Sequence, residues 1–596
     1  MGIVERANSS VERCIQWLSI QQDDQGRWMG AVRSNCCIWY AAGLALLGEK
    51  PESAVVADIC DFVEACAGAD GGIGPYPGEP ATGLETSTAL PLLSWARGES
   101  LVVTRAREYL QKNGPPYRDP GTQFMGWLFQ PDCRAEILAD RGPSAMFQRL
   151  LLFASRKHPT ERWKLDQKYP HSYRAPGAME RTLGAALMRA LTYPPASQLE
   201  SATVRAPQPI SFDTLLLITA GLRHLAGDTS QTAQVLAEYA LARRDKMLEL
   251  GGAYPWMHPL IADLFFTTVF GREEEKSRPA AAFRDIEYLG NGSLRGRPIS
   301  INIFDTALTV LALTSAGVPE DHPMVQRACD FLIAAQRPAD GLWSFAYSRD
   351  EACHPGQADS DDSGLVGMAL TSCGKPGPVR NSLAALRSLQ EADGSFSTFG
   401  DQVLRPNWRW LSNTSRSLQA MMLAGVDLQD PQLVRGLEWV RSRQLPDGSW
   451  IDGWCHCYIY GTAVALESLV RSGAGPEDSA VKRGKDWLLE QQNADGGWGE
   501  DWYGGSSRSL PEHTGLAVYA LCLCAEPDEN SLRAIEAGVS WLVGAQREDG
   551  AWEASYFIDF GFGVGFADSQ IPVVWALHGL GKALQLLRKW SDDGRD

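Results

Sequence analysis

The chain has 596 residues, too many for one ordinary core and enough for several domains or a repeat fold. Apolar residues make up 44% and charged residues 21%, which excludes wholesale disorder. Lys and Arg number 55 against 72 Asp and Glu, so the formal charge is −17 and nucleic acid is not an expected partner.

The first 18 residues lack an apolar stretch behind a basic start, so no secretory leader is expected there. Nowhere is there an apolar run of about 18 residues, so no membrane-spanning helix is expected either. The 13 Cys are scattered and form no paired CxxC pattern, which predicts reduced, buried thiols in a cytoplasm rather than structural zinc. A first motif follows: Trp17-Leu18, then Gln22, then Gly26-Arg27-Trp28.

Residues 35–300 read as an inserted helical domain with weaker repeats. Asp70-Gly71-Gly72-Ile73 looks like a turn, and Leu84 to Leu90 like the start of an inner helix. Residues 114–176 are rich in Pro and basic side chains, and 190–210 form a Pro/Ser linker. The most apolar segment, Trp256 to Phe270, reads first as core, with a bilayer-facing surface as the alternative.

From residue 301 the opening motif returns five times. It reads Gln336…Asp340-Gly341-Leu342-Trp343, then Gln390…Asp393-Gly394-Ser395-Phe396, then Gln444…Asp447-Gly448-Ser449-Trp450. Gln492…Asp495-Gly496-Gly497-Trp498 and Gln546…Asp549-Gly550-Ala551-Trp552 complete the set. Successive Gln are 54, 54, 48 and 54 residues apart, a regularity that is structural and that absorbs many of the 20 Trp. The expected local geometry is a helix ending at Gln, an Asp-Gly turn, and an aromatic ring folded back on the helix, with the Gln amide satisfying free helix-terminal carbonyls. A charged helix alternates with an apolar, small-residue helix such as Gly461 to Leu469, predicting outer and inner layers. One early and five late repeats predict a six-pair α/α ring, residues 1–34 plus 301–596, interrupted by the 35–300 insertion.

In such a ring all inner helices start at the same mouth. Phe304 and Asp305, Asp359-Ser360-Asp361-Asp362, Asn413 to Arg416, Trp454 to Tyr460, and Glu512-His513 therefore converge. Three carboxyls in four residues at a helix start are most simply a solvated cap. A calcium loop fits poorly, because the twelfth position from Asp359 is Leu370 rather than Glu. In a ring mouth, crowded carboxyls cannot all ionise, so one can remain an acid. Aromatic faces stabilise cations.

These residues resemble the squalene-hopene cyclase branch of the class II terpene cyclases, whose QW and DxDD motifs match the Gln…Asp-Gly-x-Trp repeats and Asp359 to Asp362. Stretches 303–313, 447–462 and 493–502 are also similar; the likeness is strong over 10–30 and 300–560 and weak over 100–300. The resemblance implies an all-α fold of two α/α barrels, the second inserted into the first. It implies proton-initiated polyene cyclisation without a metal. Asp361 would give its proton to a terminal alkene, with Asp359 and Asp362 holding its geometry and tuning its acidity. Arg416 falls where members carry His or Arg bonded to the donor. Phe304, Tyr347, Phe399, Trp454 and Phe560 lie at or near positions resembling cavity aromatics, Tyr173 being a weaker match, while Tyr460 reads as packing.

The chain departs from the family pattern at Phe304 and Phe399, which stand for Trp and Tyr, at Val564 and Ala567 in the tail, and near Ala89, where a Glu is expected. The substrate therefore stays open between squalene, a diphosphate-bearing diterpene or sesquiterpene precursor, and a prenylated aromatic. A diphosphate would need cations, for which Arg156, Lys157, Arg162, Lys164, Lys168 and Arg174 offer a stretch, although a solvated face is the simpler reading. Magnesium is expected only with a diphosphate; otherwise no cofactor and no metal ligand is expected. The expected partner is a hydrophobic polyprenoid, and the expected place is the cytoplasm, with monotopic contact at the inner membrane face as an option. A helical toroid serving as a protein-binding module is the non-enzymatic alternative, and a prenyltransferase-type ring would need a zinc set that the sequence does not show.

Overall fold

A computed structural model describes residues 2–28, 34–74, 77, 81, 83–113, 120–140, 212–251, 257–284, 288–289, 294–295, 301–344, 358–398, 410–452, 458–500, 508–524, 528–553, 555–559, 565–568 and 570–593. The fold is all-α, with two short antiparallel ribbons.

Helix α1 (Ile3–Gln21) opens the chain. Then come α2 (Ser34–Leu46), α3 (Ala54–Ala65), α4 (Gly83–Arg97), α5 (Leu101–Asn113), α6 (Pro120–Phe129), α7 (Arg134–Ala139), α8 (Phe212–Leu225), α9 (Gln231–Gly251), α10 (Met257–Val269) and α11 (Ser277–Arg284). In this stretch α2, α4, α6, α8 and α10 each touch the next and α10 returns to α2, closing an inner ring of five. Trp39 of α2, Phe124 of α6 and Phe265 of α10 are fully buried, and their rings meet across the interior at 5.5 and 4.9 Å between centroids. The apolar α10, the segment with two readings in the sequence, is buried along its described length from Met257 to Thr267. Among the described residues no helix is long and apolar enough to cross a membrane.

The remaining helices are α12 (Asn302–Ser315), α13 (Pro323–Ala334), α14 (Ser360–Ser372), α15 (Gly377–Ser388), α16 (Leu411–Leu423), α17 (Pro431–Ser442), α18 (Tyr458–Arg471), α19 (Ser479–Glu490), α20 (Pro511–Cys524), α21 (Glu529–Ala545) and α22 (Gln570–Asp593). Here α12, α14, α16, α18, α20 and α22 form a closed inner ring, each touching two neighbours. Helices α13, α15, α17, α19, α21 and α1 lie outside it. The layers follow from composition. Outer α19 buries only the stripe Ala480, Val481, Gly484, Trp487 and Leu488 and turns its charges outward, while inner α14 is buried from Ser360 to Leu370. Small residues permit close inner packing: a Cβ on Gly515 of α20 would lie 2.2 Å from the Trp575 carbonyl oxygen of α22.

The repeats act as locks between neighbours. In the Trp450 repeat the indole N–H donates to the Val440 carbonyl at the end of its outer helix (2.8 Å), and the backbone N–H donates to Thr462 Oγ1 of the inner helix that follows (3.0 Å). Trp28, Trp343 and Trp498 make the same pair of bonds. The turn needs Gly448 at φ 98°, where a Cβ would sit 2.5 Å from the Arg483 carbonyl oxygen. The Gln amide differs from the expectation. Gln444 Nε2 donates to Gly448 O in its own turn and to Ala480 O in the next outer helix, at 2.8 and 2.9 Å. It therefore binds one repeat to the next instead of capping its own helix. Gln546 closes the circle by donating to Gly550 O and Ser10 O, both at 2.9 Å.

Two separate cores result. One runs through Ala7 to Trp28 and Ile301 to Leu584; the other lies within Cys36 to Phe283. The described cysteines are unbridged, and all but Cys133 are buried.

Candidate active site

Because outer and inner helices alternate, the six inner helices of the larger ring start at one mouth. Polar side chains are buried at those starts: Asn302 and Asp305 on α12, Ser360 to Asp362 on α14, Asn413 and Arg416 on α16, and Glu512 and His513 on α20. Burying so many polar groups is costly unless they are paired or functional.

Asp359 is extended and caps α14. Its Oδ1 accepts the backbone N–H of Asp361 at 2.8 Å and of Asp362 at 3.3 Å. It is a cap, as the simplest sequence reading has it, but a buried one. Asp361 and Asp362 stand in the first turn behind it. Arg416 Nη1 donates to Asp361 Oδ2 at 3.0 Å, and its other nitrogen donates to the Tyr460 hydroxyl. The guanidinium carbon lies 5.0 Å from the Phe304 ring centroid and 5.6 Å from that of Tyr460. Tyr460, read from the sequence as packing, is thus a polar partner of the cluster. Asn413 Nδ2 donates to Ser360 Oγ at 3.1 Å and ties α16 to α14.

Gly364 sets the spacing of that pair. A Cβ there would lie 2.6 Å from the Arg416 carbonyl carbon, so α14 and α16 touch backbone to backbone one turn below the acids. Gly364→Ala is expected to push the helices apart, to lower stability by about 1–3 kcal/mol, and to weaken the Asp361–Arg416 pair. Chemical denaturation checks the first effect; an unchanged unfolding midpoint would show that the helices give way at no cost.

Electrostatics favour retained protons. Burial pushes Asp361 up to about 6 against the opposing Arg416 charge, with Asp452 adding to the rise. Burial, then the Asp361 charge, pushes Asp359 up to about 8. Asp362 is held well above the usual carboxylate range by burial and by Asp359 and Asp361. Arg416 is raised further by Asp361 and its neighbours, so it stays a cation. Asp361 is therefore the strongest acid of the three, because the anion it leaves is the one bonded to the guanidinium. Asp361 Oδ1 and Asp362 Oδ1 are buried and accept no hydrogen bond. A carboxyl with one oxygen held and the other unpartnered is poised to protonate something that brings no hydrogen bond of its own.

Of the residues singled out in the sequence, Asp359, Asp361, Asp362, Arg416 and the half-buried Phe304 come together here. Tyr347, Phe399, Trp454 and Phe560 lie outside the described residues, as do Tyr173 and the basic stretch 156–174.

Asp452 escaped the sequence reading. It is fully buried, and its Oδ2 accepts the Ser412 N–H of α16 at 2.8 Å. Its signal is positional: it stands two residues after Trp450. Glu500, two residues after Trp498, likewise accepts the Ile459 N–H of α18 at 3.1 Å, and the Thr398 carbonyl, two after Phe396, accepts the Ser360 N–H at 2.8 Å. Each such position caps the inner helix of the preceding repeat.

Residues 299–569 match the profile of the squalene-hopene cyclase C-terminal domain, and residues 4–113 match the prenyltransferase alpha-alpha toroid domain. The squalene–hopene cyclase of Alicyclobacillus acidocaldarius is 33% identical over 300 residues, covering 44% of this chain and 46% of that protein. Over this stretch the chain is similar to squalene–hopene cyclases. The sporulenol synthase of Bacillus subtilis is 29% identical over 186 residues, covering 27% of this chain and 29% of that enzyme. The chain thus spans about half, or less, of the length of these relatives. Among solved structures, the ent-copalyl diphosphate synthase of Streptomyces platensis aligns over 97% of this chain and 99% of its own, at 18% identity and a TM-score of 0.49.

Proposed function

We propose that the protein cyclises a linear polyprenoid by protonating its terminal alkene. The observation that carries this reading is Asp361, a buried carboxyl whose Oδ2 is held by Arg416 while Oδ1 has no partner. The proton leaves the carboxyl oxygen for the less substituted alkene carbon, and the positive charge appears on the more substituted one. The π electrons of successive double bonds then close the rings. The last cation loses a proton or captures a water, which gives up one of its protons. Arg416 stabilises the carboxylate left behind. The Phe304 ring, stacked on Arg416, shields that pair from water. In this reading residues 1–34 and 301–596 form the catalytic barrel and 35–300 a second barrel. The electrophile is a proton, so no cofactor takes part, and magnesium enters only with a diphosphate head group.

A hydrocarbon head fits the mouth better than an anionic one. Among the described residues, Asp305, Asp359, Asp361, Asp362 and Asp452 crowd a single arginine there. The name of the Alicyclobacillus relative points the same way, to squalene. A substrate of that kind enters from a lipid phase, which favours peripheral membrane contact.

The test is incubation of the purified protein with squalene and, separately, with geranylgeranyl diphosphate, each with and without EDTA, with products read by mass spectrometry. A cyclised triterpene formed regardless of EDTA is the expected result. A cyclised diphosphate would move the substrate to the diphosphate class, and the absence of cyclised product from any polyprenoid would overturn the proposal.

A further inference from the structure

Arg416 poses a difficulty for a proton donor. A guanidinium keeps its charge at any pH the protein meets, and by itself at 3.0 Å it would leave Asp361 ionised. The acid therefore needs a second negative group within reach of the same cation. Asp359 is committed to the α14 cap, and Asp362 has an unpartnered oxygen. Asp305 on α12 acts on Asp362. From α18, Tyr460 offers a hydroxyl, not a charge, to Arg416.

Asp452 meets the requirement. It is fully buried and lies within electrostatic reach of both Asp361 and Arg416. It is anchored on Ser412, one turn before Arg416 on the same helix, so Asp452 and the arginine share one edge of α16. The N-terminal end of α16 favours a negative group at that point. Nothing in the sequence reading assigned it a role.

We propose that Asp452 is a positioning residue that shares the Arg416 guanidinium with Asp361, so that Asp361 holds its proton to a higher pH than the guanidinium alone would allow. Asp452 thereby does two things through one carboxylate: it caps the helix that carries the cation, and it offsets part of that cation's field. The donor role of Asp361 rests on the function proposed above; the charge sharing does not depend on turnover.

The test is an infrared titration of the full-length protein, following the carbonyl stretch of protonated buried carboxyls. The Asp361 band is assigned by its loss in Asp361→Asn. Asp452→Asn keeps a competent helix cap but removes the charge. It is expected to move the Asp361 midpoint down by about one pH unit, so the protonated fraction above the midpoint falls about tenfold. Asp452→Glu, which keeps the charge, should hold the midpoint near that of the parent protein. Glu500→Gln, which alters the equivalent cap one repeat on, should leave it unchanged. An unmoved midpoint in Asp452→Asn would overturn the proposal, as would an equal shift in Glu500→Gln, which would mark a general loosening of the mouth. The pH profile of squalene cyclisation is measured alongside. A shifted infrared midpoint in a protein that cyclises no polyprenoid would retain the charge sharing and reject the cyclase reading.

Discussion

Asp361→Asn is expected to abolish cyclisation, with a loss of about a thousandfold or more, while the ring stays folded. The amide keeps an oxygen for Arg416 Nη1 and fits the same space, so α14 and α16 lose little contact. What it lacks is an acidic proton at the position of Oδ1. Circular dichroism and a thermal midpoint within a few degrees of the parent protein would separate lost chemistry from lost structure. Measurable turnover in this variant would transfer the donor role to Asp362, which also has an unpartnered oxygen. The parent protein provides a companion observation. Only the carboxyl form donates, and burial places Asp361 at about 6, so the rate should fall as pH rises through about 6. A rate that rises across that range would contradict an acid donor.

Arg416→Met is expected to produce the largest stability loss of any conservative change in the site, about 3–5 kcal/mol near neutral pH. Methionine restores much of the apolar volume but removes the cation bonded to Asp361, together with its bond to Tyr460. The remaining carboxyls then prefer to be protonated even more strongly in the folded chain than in the unfolded one. The folded state binds more protons over that range, so stability must fall as pH rises and recover as pH drops. Chemical denaturation of the variant should therefore show a deficit that shrinks once the pH is taken below about 6, where Asp361 is already protonated in the parent protein. A deficit independent of pH would mean that the arginine matters for packing against Phe304 and Tyr460 and not for charge.

The sequence was most informative where a local pattern repeats. The Gln-to-Trp turns, the outer and inner alternation and the convergence of helix starts were all legible, because each depends on residues within one repeat or on their period. Partners one repeat away were not. Nothing local tells Gln444 that its amide reaches Ala480, or that Asp452 will reach back to Ser412. Tyr460 reads as packing because a tyrosine among apolar residues is usually that; its hydroxyl acquires a purpose only when Arg416 is placed beside it. The inserted stretch was the least legible. Its turns lack the Gln and Trp signature, and its ring is defined by apolar faces, among them Trp39, Phe124 and Phe265, whose pairing no spacing announces.

The bond from Gln546 to Ser10 spans 536 positions of the chain, and α1 also packs on α21 and α22. During synthesis α1 emerges well before its partners α21 and α22. At about 5–20 residues per second the interval is on the order of half a minute to two minutes. For that time the stripe Ala7, Val11, Cys14 and Leu18 lacks the surfaces of α21 and α22. The ring of α2, α4, α6, α8 and α10, whose last helix ends at Val269, can fold within that wait. The larger ring is therefore expected to close late and slowly, as contacts this distant in sequence require. A helix made long before its partners has to wait for them.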